Sequence, residues 1–325
     1  MRAWRIHELG DPIQRLVLDE VAEPELGPGR VLVEVEAVGL AFPDVLQCRG
    51  EYQVKPPLPY CPGSETAGRV SAVGDGVDAA LVGRRVVALG GGLAERVVLP
   101  EGSVFELPDS LEATKAVAVP MNYGTTWFAL HDRAHLAAGE TLLVTGAAGG
   151  VGSAAIQLGR AAGARVIAVA GGAEKVAACE ALGADEVIDH REVEDLVERV
   201  RELTDGRGVD VAYDPVGGEI FQQVRRCMAW DGRLLVIGFV AGIPELKTNH
   251  VLLKNYSVVG VHWGASLARD PASLGRQMAS VFGLAADGAV DPLLHPPYAF
   301  ADAPRALQDI ADRKAIGKVV ADLRI

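Results

Sequence analysis

The sequence predicts an α/β protein in which a β-rich N-terminal region precedes a doubly wound parallel sheet, and three observations carry that reading. A strand, a glycine turn and a helix start follow one another through Thr141-Leu-Leu-Val-Thr-Gly-Ala-Ala-Gly-Gly-Val-Gly152. Beyond it, short apolar strands alternate with helical patterns as far as Ser257, the alternation that builds parallel sheets from βα units. Before it, the first 110 residues hold short strand patterns separated by glycine-containing turns, as in a small antiparallel or barrel-like unit.

Taken in order, Val31, Val33 and Val35 alternate with Glu34 and Glu36, the period of two that marks a half-buried strand over Val31 to Val38. Gly68 to Val73, Arg85 to Leu89 and Glu95 to Leu99 follow as strand candidates, with Gly74-Asp75-Gly76 as one of the turns. Ala113 to Leu136 reads as largely helical. Strands are then expected near Thr141, Arg165, Glu186, Asp210, Arg233 and Ser257, with Gly163 and Gly183 closing intervening helices in the manner of a glycine after a helix C-terminus. The tail carries an amphipathic helix from Asp270 to about Asp287, a proline-rich turn from Pro292 to Pro297, and a helix from Ala303 to Arg313.

A length of 325 residues accommodates about two domains. Apolar residues at 49% and charged residues at 23% are ordinary for a globular chain and leave disorder without support. The net charge of −12 repels phosphate backbones, so a nucleic-acid partner is not expected. Cys48, Cys61, Cys179 and Cys227 form no CxxC pair, and neither a disulfide framework nor a cysteine-built zinc site is readable. Arg2, Arg5, Glu8 and Asp11 interrupt any signal-peptide core. The uncharged run from Thr141 to Gly159 is rich in glycine and reads as strand, turn and helix rather than a membrane span. A cytoplasmic location is expected, with no membrane partner.

Within the glycine run, Ala147-x-Gly149-x-x-Gly152 is the dinucleotide fingerprint with Ala in the first position, and Gly150 and Val151 open the helix. Gly149 lets backbone N–H groups approach a pyrophosphate, Gly152 lets helix and strand pack closely, and the helix start carries about half a positive charge. The next strand ends in Ala170-Gly171-Gly172-Ala173, where an NAD-binding chain places a carboxylate on the ribose. A carboxylate about 4 Å from a 2′-phosphate would cost about 4 kcal/mol at an effective dielectric of 20. Its absence, with Lys175, His190 and Arg191 following, points to NADPH as the cofactor.

These features, with Arg49-Gly-Glu-Tyr-Gln-Val-Lys-Pro-Pro-Leu-Pro59 and Asp214-Pro-Val-Gly-Gly218, resemble the zinc-free quinone oxidoreductases of the medium-chain dehydrogenase/reductase superfamily, the zeta-crystallin-like branch. The resemblance runs end to end. It implies a discontinuous GroES-like domain, residues 1–120 and 265–325, around a Rossmann domain, residues 121–264, with the active site in the cleft. Zinc-dependent relatives use GxCxxD and GHE; the matching segments here are Gly39-Leu-Ala41-Phe-Pro-Asp44 and Gly63-Ser64-Glu65, which lack the cysteine and histidine ligands. No metal is therefore expected. His131 and His135 are spaced i, i+4 but lack a third ligand and read as a solvated helix end.

Carried over by position, the resemblance makes Tyr52 the tyrosine of the cleft and Thr126 the threonine near the nicotinamide, and these two are the candidate catalytic residues. Gly171, Lys175 and His190 become the adenosine-phosphate set, Gly238 and Phe239 the turn after the fifth strand, and Arg313 a basic residue of the last helix. With Ala147, Gly149, Gly150, Val151 and Gly152 these complete the cofactor set. Ala41 stands where many members carry Asn. The activity implied is NADPH-dependent, metal-independent hydride transfer to a quinone or another electron-poor carbonyl, with Tyr52 as hydrogen-bond donor to the growing oxyanion. An enoyl or alkenal reductase is the alternative, and a non-catalytic NADPH-binding structural protein a further one. The segment Ser257 to Trp263 resembles the strand that joins two subunits in this family, so a homodimer is expected. A short-chain dehydrogenase, whose TGxxxGxG the glycine run also satisfies, is excluded: Tyr213, Tyr256 and Tyr298 are followed four positions later by Gly217, Gly260 and Asp302 rather than lysine.

Overall fold

A computed structural model describes residues 1–107 and 111–325. They divide into two compact units, residues 1–121 with 292–325, and residues 122–291.

The first unit opens with β1 (Arg2–Ile6) and β2 (Leu16–Glu20), an antiparallel pair joined through α1 (Pro12–Arg15). Its central strand is β3 (Arg30–Leu40), whose alternation of Val31, Val33 and Val35 against glutamates turns the valines inward. After α2 (Phe42–Arg49), β3 pairs antiparallel with β4 (Glu65–Val73), which leads to β5 (Arg85–Leu89), β6 (Arg96–Pro100) and β7 (Val104–Glu106). A short α3 (Ala113–Ala116) closes this stretch. The stretch from Ala113 to Leu136, expected to be largely helical, is so, but in two pieces, because Pro120 has no N–H and starts a new helix at its first position.

The second unit begins within that new helix, α4 (Pro120–Trp127), which runs on as a π-helical turn over Phe128–Arg133. Six parallel strands follow: β8 (Thr141–Val144), β9 (Arg165–Ala170), β10 (Glu186–Asp189), β11 (Val209–Asp214), β12 (Met228–Val236) and β13 (Ser257–Gly260). They alternate with α5 (Gly150–Ala161), α6 (Ala173–Ala181), α7 (Leu196–Leu203), α8 (Gly218–Cys227) and α9 (Thr248–Lys254). The strand order is β10-β9-β8-β11-β12-β13, so the winding reverses between β8 and β11. In open sheets of this kind ligands bind at that reversal, outside the carboxyl ends of the strands. α10 (Trp263–Arg269) and α11 (Ala272–Ala286) pack in this unit as well, past the expected boundary at 264. Trp263 Nε1 donates to Gln277 Oε1 at 2.8 Å, and Gln157 Nε2 donates to the Asp291 carbonyl at 2.7 Å.

The chain then returns to the first unit with β14 (Tyr298–Ala299), α12 (Ala303–Ala311) and β15 (Val319–Asp322), and β15 pairs antiparallel with β3. Each unit has its own core. In the first, Val31, Val33, Leu40, Val86 and Leu307 are fully or almost fully buried; in the second, Leu143, Ile167, Val200, Val224 and Leu234 are. Burial of each such side chain contributes about 1.5–3 kcal/mol.

Candidate active site

In the second unit, β8 runs straight into the glycine turn and α5. The Gly149 amide donates to the Gly146 carbonyl at 2.9 Å, and the Ser153 amide returns to the Gly149 carbonyl at 2.8 Å. A side chain at Gly152 would run into the Gly146 carbonyl oxygen, with Ala147 Cα 2.7 Å from the added Cβ. That is the close helix–strand approach the spacing Ala147-x-Gly149-x-x-Gly152 implies. Gly149, Gly150 and Val151 remain half-exposed at the start of α5, leaving its first N–H groups open to an anion.

The ends of the neighbouring strands complete the rim. Asp214, at the end of β11, accepts from Thr145 Oγ1 at 2.5 Å, from the Val216 amide at 3.0 Å and from the Gly217 amide at 3.3 Å. It thereby ties the glycine turn to the Pro215–Gly218 turn across the reversal point. Burial pushes its carboxyl up, and these donors pull it back. The Pro215–Gly218 turn in turn packs on the loop that holds Gly238 and Phe239: the Gly218 amide donates to the Gly242 carbonyl at 2.9 Å, and Phe239 is about half-exposed. On the other side of β8, the Ala147 amide donates to the Val169 carbonyl of β9 at 3.2 Å. β9 leads into Gly171, where an added Cβ would lie 2.5 Å from His190 Nε2 and 3.0 Å from Arg191 Nε. The Asp189 carboxylate beside them is occupied by backbone donors, accepting from the Gly172 amide at 3.0 Å and the Arg191 amide at 2.9 Å. These bonds hold it below the usual carboxylate range. Lys175 is half-buried in the first turn of α6.

Thr126 is fully buried. Its hydroxyl lies 3.0 Å from the Tyr213 hydroxyl and 3.4 Å from the Val151 carbonyl, so it fixes α4 against the start of α5 and the end of β11. Tyr52 and Arg313 belong to the first unit. Tyr52 is half-buried, and burial together with the Asp44 carboxylate pushes its phenol up. Arg313 lies two residues beyond the end of α12, in an exposed turn with φ 58°; the expected last helix stops short of it.

The first unit also holds the segments that match metal-binding positions elsewhere. Asp44 is fully buried and accepts from the Ala41 amide at 2.7 Å, from Ser64 Oγ at 2.8 Å and from the Gly63 amide at 3.1 Å. Glu65 is equally buried, accepting from the Met121 amide at 2.7 Å and from Lys318 Nζ. Burial raises both carboxyls, and the Lys318 ammonium opposes the rise. A side chain at Gly39 would meet Glu65 Oε2 at 2.7 Å, which explains glycine there. Ala41 has no donor atom and the Ser64 hydroxyl is committed to Asp44, so this set does not suit Zn²⁺, which takes thiolate, imidazole or carboxylate ligands. Among the described residues no group of three His, Cys, Asp or Glu is placed to hold a metal ion. His131 packs on Trp127 with ring centroids 4.0 Å apart and planes tilted by 37°, and His135 lies past the helical turn with φ 49°. No helix among the described residues is long and apolar enough to cross a membrane.

Residues 27–109 match the model of the alcohol dehydrogenase GroES-like domain, and residues 150–279 that of the zinc-binding dehydrogenase. Together the two define an oxidoreductase of the medium-chain dehydrogenase/reductase class. A quinone oxidoreductase-like protein 2 homolog of Nematostella vectensis is 38% identical over 98% of this chain and 88% of its own length. The quinone oxidoreductase from Thermus thermophilus, whose structures include a complex with NADPH, is 36% identical, with a TM-score of 0.85 over 99% of this chain and all of that one. The CurK enoyl reductase is 26% identical, with a TM-score of 0.89 over 99% of this chain and 98% of that one. The chain belongs to the quinone oxidoreductase-like family of the medium-chain dehydrogenase/reductase superfamily.

Four features of the site escape sequence reading. The roles of Asp214 and of the Glu65–Lys318 pair, 253 positions apart in the chain, arise only when distant segments meet. Tyr213 reads as an interior strand residue. Asn122 carries no local signal at all.

Proposed function

We propose that this chain is an NADPH-dependent oxidoreductase that reduces quinones or other electron-poor, conjugated carbonyls without a metal. One observation carries the cofactor assignment: the turn at Gly171–Gly172 is covered by His190 and Arg191, and the negative charge of Asp189 beside it is countered by backbone N–H donors and by Arg191. A nucleotide carrying a 2′-phosphate is favoured at such a turn over one that needs a carboxylate on its ribose. The residues fit the group, since the half-exposed Gly149, Gly150 and Val151 leave the first N–H groups of α5 open to its pyrophosphate. The reduced nicotinamide, when bound, supplies a hydride.

The chain's own residues do the rest. The open N-terminus of α5 binds and orients the pyrophosphate; Thr126 and Tyr213 hold that helix start in register; Gly238 and Phe239 flank the second half of the rim. Tyr52 keeps its proton through neutral pH because burial and Asp44 disfavour the phenolate, so it serves as a hydrogen-bond donor to an oxygen that gains negative charge. Without a Lewis acid, an unactivated alcohol is a poor substrate. The test is a panel of benzoquinones, enones, enoyl thioesters and secondary alcohols assayed with NADPH and NADH, with and without a chelator. NADPH-driven reduction of quinones, unaffected by chelation, is the expected result. Faster oxidation of alcohols, lost on chelation, overturns the reading. The fold shared with the CurK enoyl reductase supports a second acceptor class, and preference for thioesters in the same panel would select it.

A further inference from the structure

The start of α5 has a neighbour that none of the functions above uses. Asn122 lies on α4 one turn before Thr126, on the same face. Thr126 meets the Val151 carbonyl, and Asn122 meets Gly150: a Cβ there would lie 2.7 Å from Asn122 Nδ2 and 3.1 Å from Oδ1. The residue is only 4% exposed, yet no partner among the described residues hydrogen-bonds its carboxamide. Its carboxamide atoms are not sealed in, for they are not among the fully buried side-chain atoms that lack a partner, so a ligand entering at this point can reach them. Here the amide stands beside the half-exposed N-terminus of a 12-residue helix, whose first N–H groups also lack partners within the helix.

We infer that Asn122 is a further ligand of the dinucleotide, its Nδ2 donating to the pyrophosphate that the start of α5 receives. This rests on the nucleotide-binding reading above and adds to it a side-chain donor from α4. Gly150 then has a second purpose: an alanine there would push the carboxamide aside.

The test is calorimetric titration of native protein, Asn122→Ala and Asn122→Asp with three probes: NADPH, 2′-phospho-ADP-ribose, which keeps the pyrophosphate but lacks nicotinamide, and 2′-AMP, which lacks the pyrophosphate. Asn122→Ala is expected to weaken the first two by roughly tenfold, the loss of one charge-assisted hydrogen bond, and to leave 2′-AMP within about twofold. Asn122→Asp is expected to weaken them by roughly a hundredfold, since like charges oppose each other. The ligand-free melting temperature of Asn122→Ala should equal or exceed that of the native protein, because no bond is lost; a merely structural role would lower it. Native-like affinity of Asn122→Ala for 2′-phospho-ADP-ribose overturns the inference, as does an equal loss for 2′-AMP. Failure of the native protein to bind either pyrophosphate probe overturns the nucleotide reading itself, and the inference with it.

Discussion

Gly152 shows how much a single atom decides at this site. Its missing Cβ leaves room for the Gly146 carbonyl, so Gly152→Ala must displace the turn that presents the N–H groups. We expect this variant to fold, by circular dichroism, but to lose at least about tenfold in NADPH affinity by fluorescence titration. Tyr52 is proposed to act differently, as a hydrogen-bond donor to the substrate. If that proposal holds, Tyr52→Phe lowers kcat by about ten- to a hundredfold, the cost of one oxyanion donor, with little change in the Kd for NADPH. Because the phenol is pushed above its ordinary value, the native rate should show no fall from Tyr52 ionisation between about pH 6 and about pH 9. Thr126→Val removes the partner of a buried tyrosine hydroxyl and should cost about 1–2 kcal/mol of stability in urea denaturation.

At the scale of elements, charge secures each of the two units in a different way. At the amino ends of the parallel strands, Arg233 on β12 grips Glu140 with two bonds of 2.8 and 2.7 Å, and the guanidinium holds that carboxyl below its ordinary value. A depressed carboxyl stabilises above its unfolded value and loses that contribution as pH falls through the folded one. Glu140→Gln is therefore expected to cost about 1 kcal/mol at pH 7, and the difference from native protein should shrink below about pH 4. In the first unit, Lys318 on the segment leading into β15 meets Glu65 on β4, both almost fully buried. Lys318→Met strands a buried carboxylate and should destabilise by about 3–5 kcal/mol, most of it recovered by adding Glu65→Leu.

Much at this scale is legible in the sequence. The strand at Arg85–Leu89 and the six strands from Thr141 onward stand where apolar runs and glycine punctuation put them. The glycine fingerprint reads correctly as a helix start because its geometry is set within a dozen residues. β1, β2 and β15 escape such reading, since their inward faces exist only once distant partners pair with them. The cut at Pro120 is a local signal that a helix-forming composition masks.

For the whole molecule, two separate cores and one nucleotide-binding unit lead to a distribution of stability. A ligand at about 100 times its Kd adds about 2.7 kcal/mol to the state it binds. Hydrogen exchange with and without NADPH is expected to slow chiefly over residues 145–152 and 171–191, the segments that line the proposed site; protection confined to the first unit would contradict that placement. The charge of −12 makes retention on a polyanionic resin at low salt unexpected.

The amino-acid sequence by itself determined the periodic elements, the glycine turn and the absence of a carboxylate after β9, because each depends on neighbours a few positions away. Only tertiary structure decided that Asp214 would lock the glycine turn, that Thr126 would be spent on Tyr213, and that Asn122 would be left facing the start of α5 with its carboxamide uncommitted. The bonds of Thr126 to Val151 and Tyr213 and that of Asp214 to Thr145 join residues from 25 to 87 positions apart, and a hydrogen bond between such segments exists only when packing of the whole sheet brings their ends together.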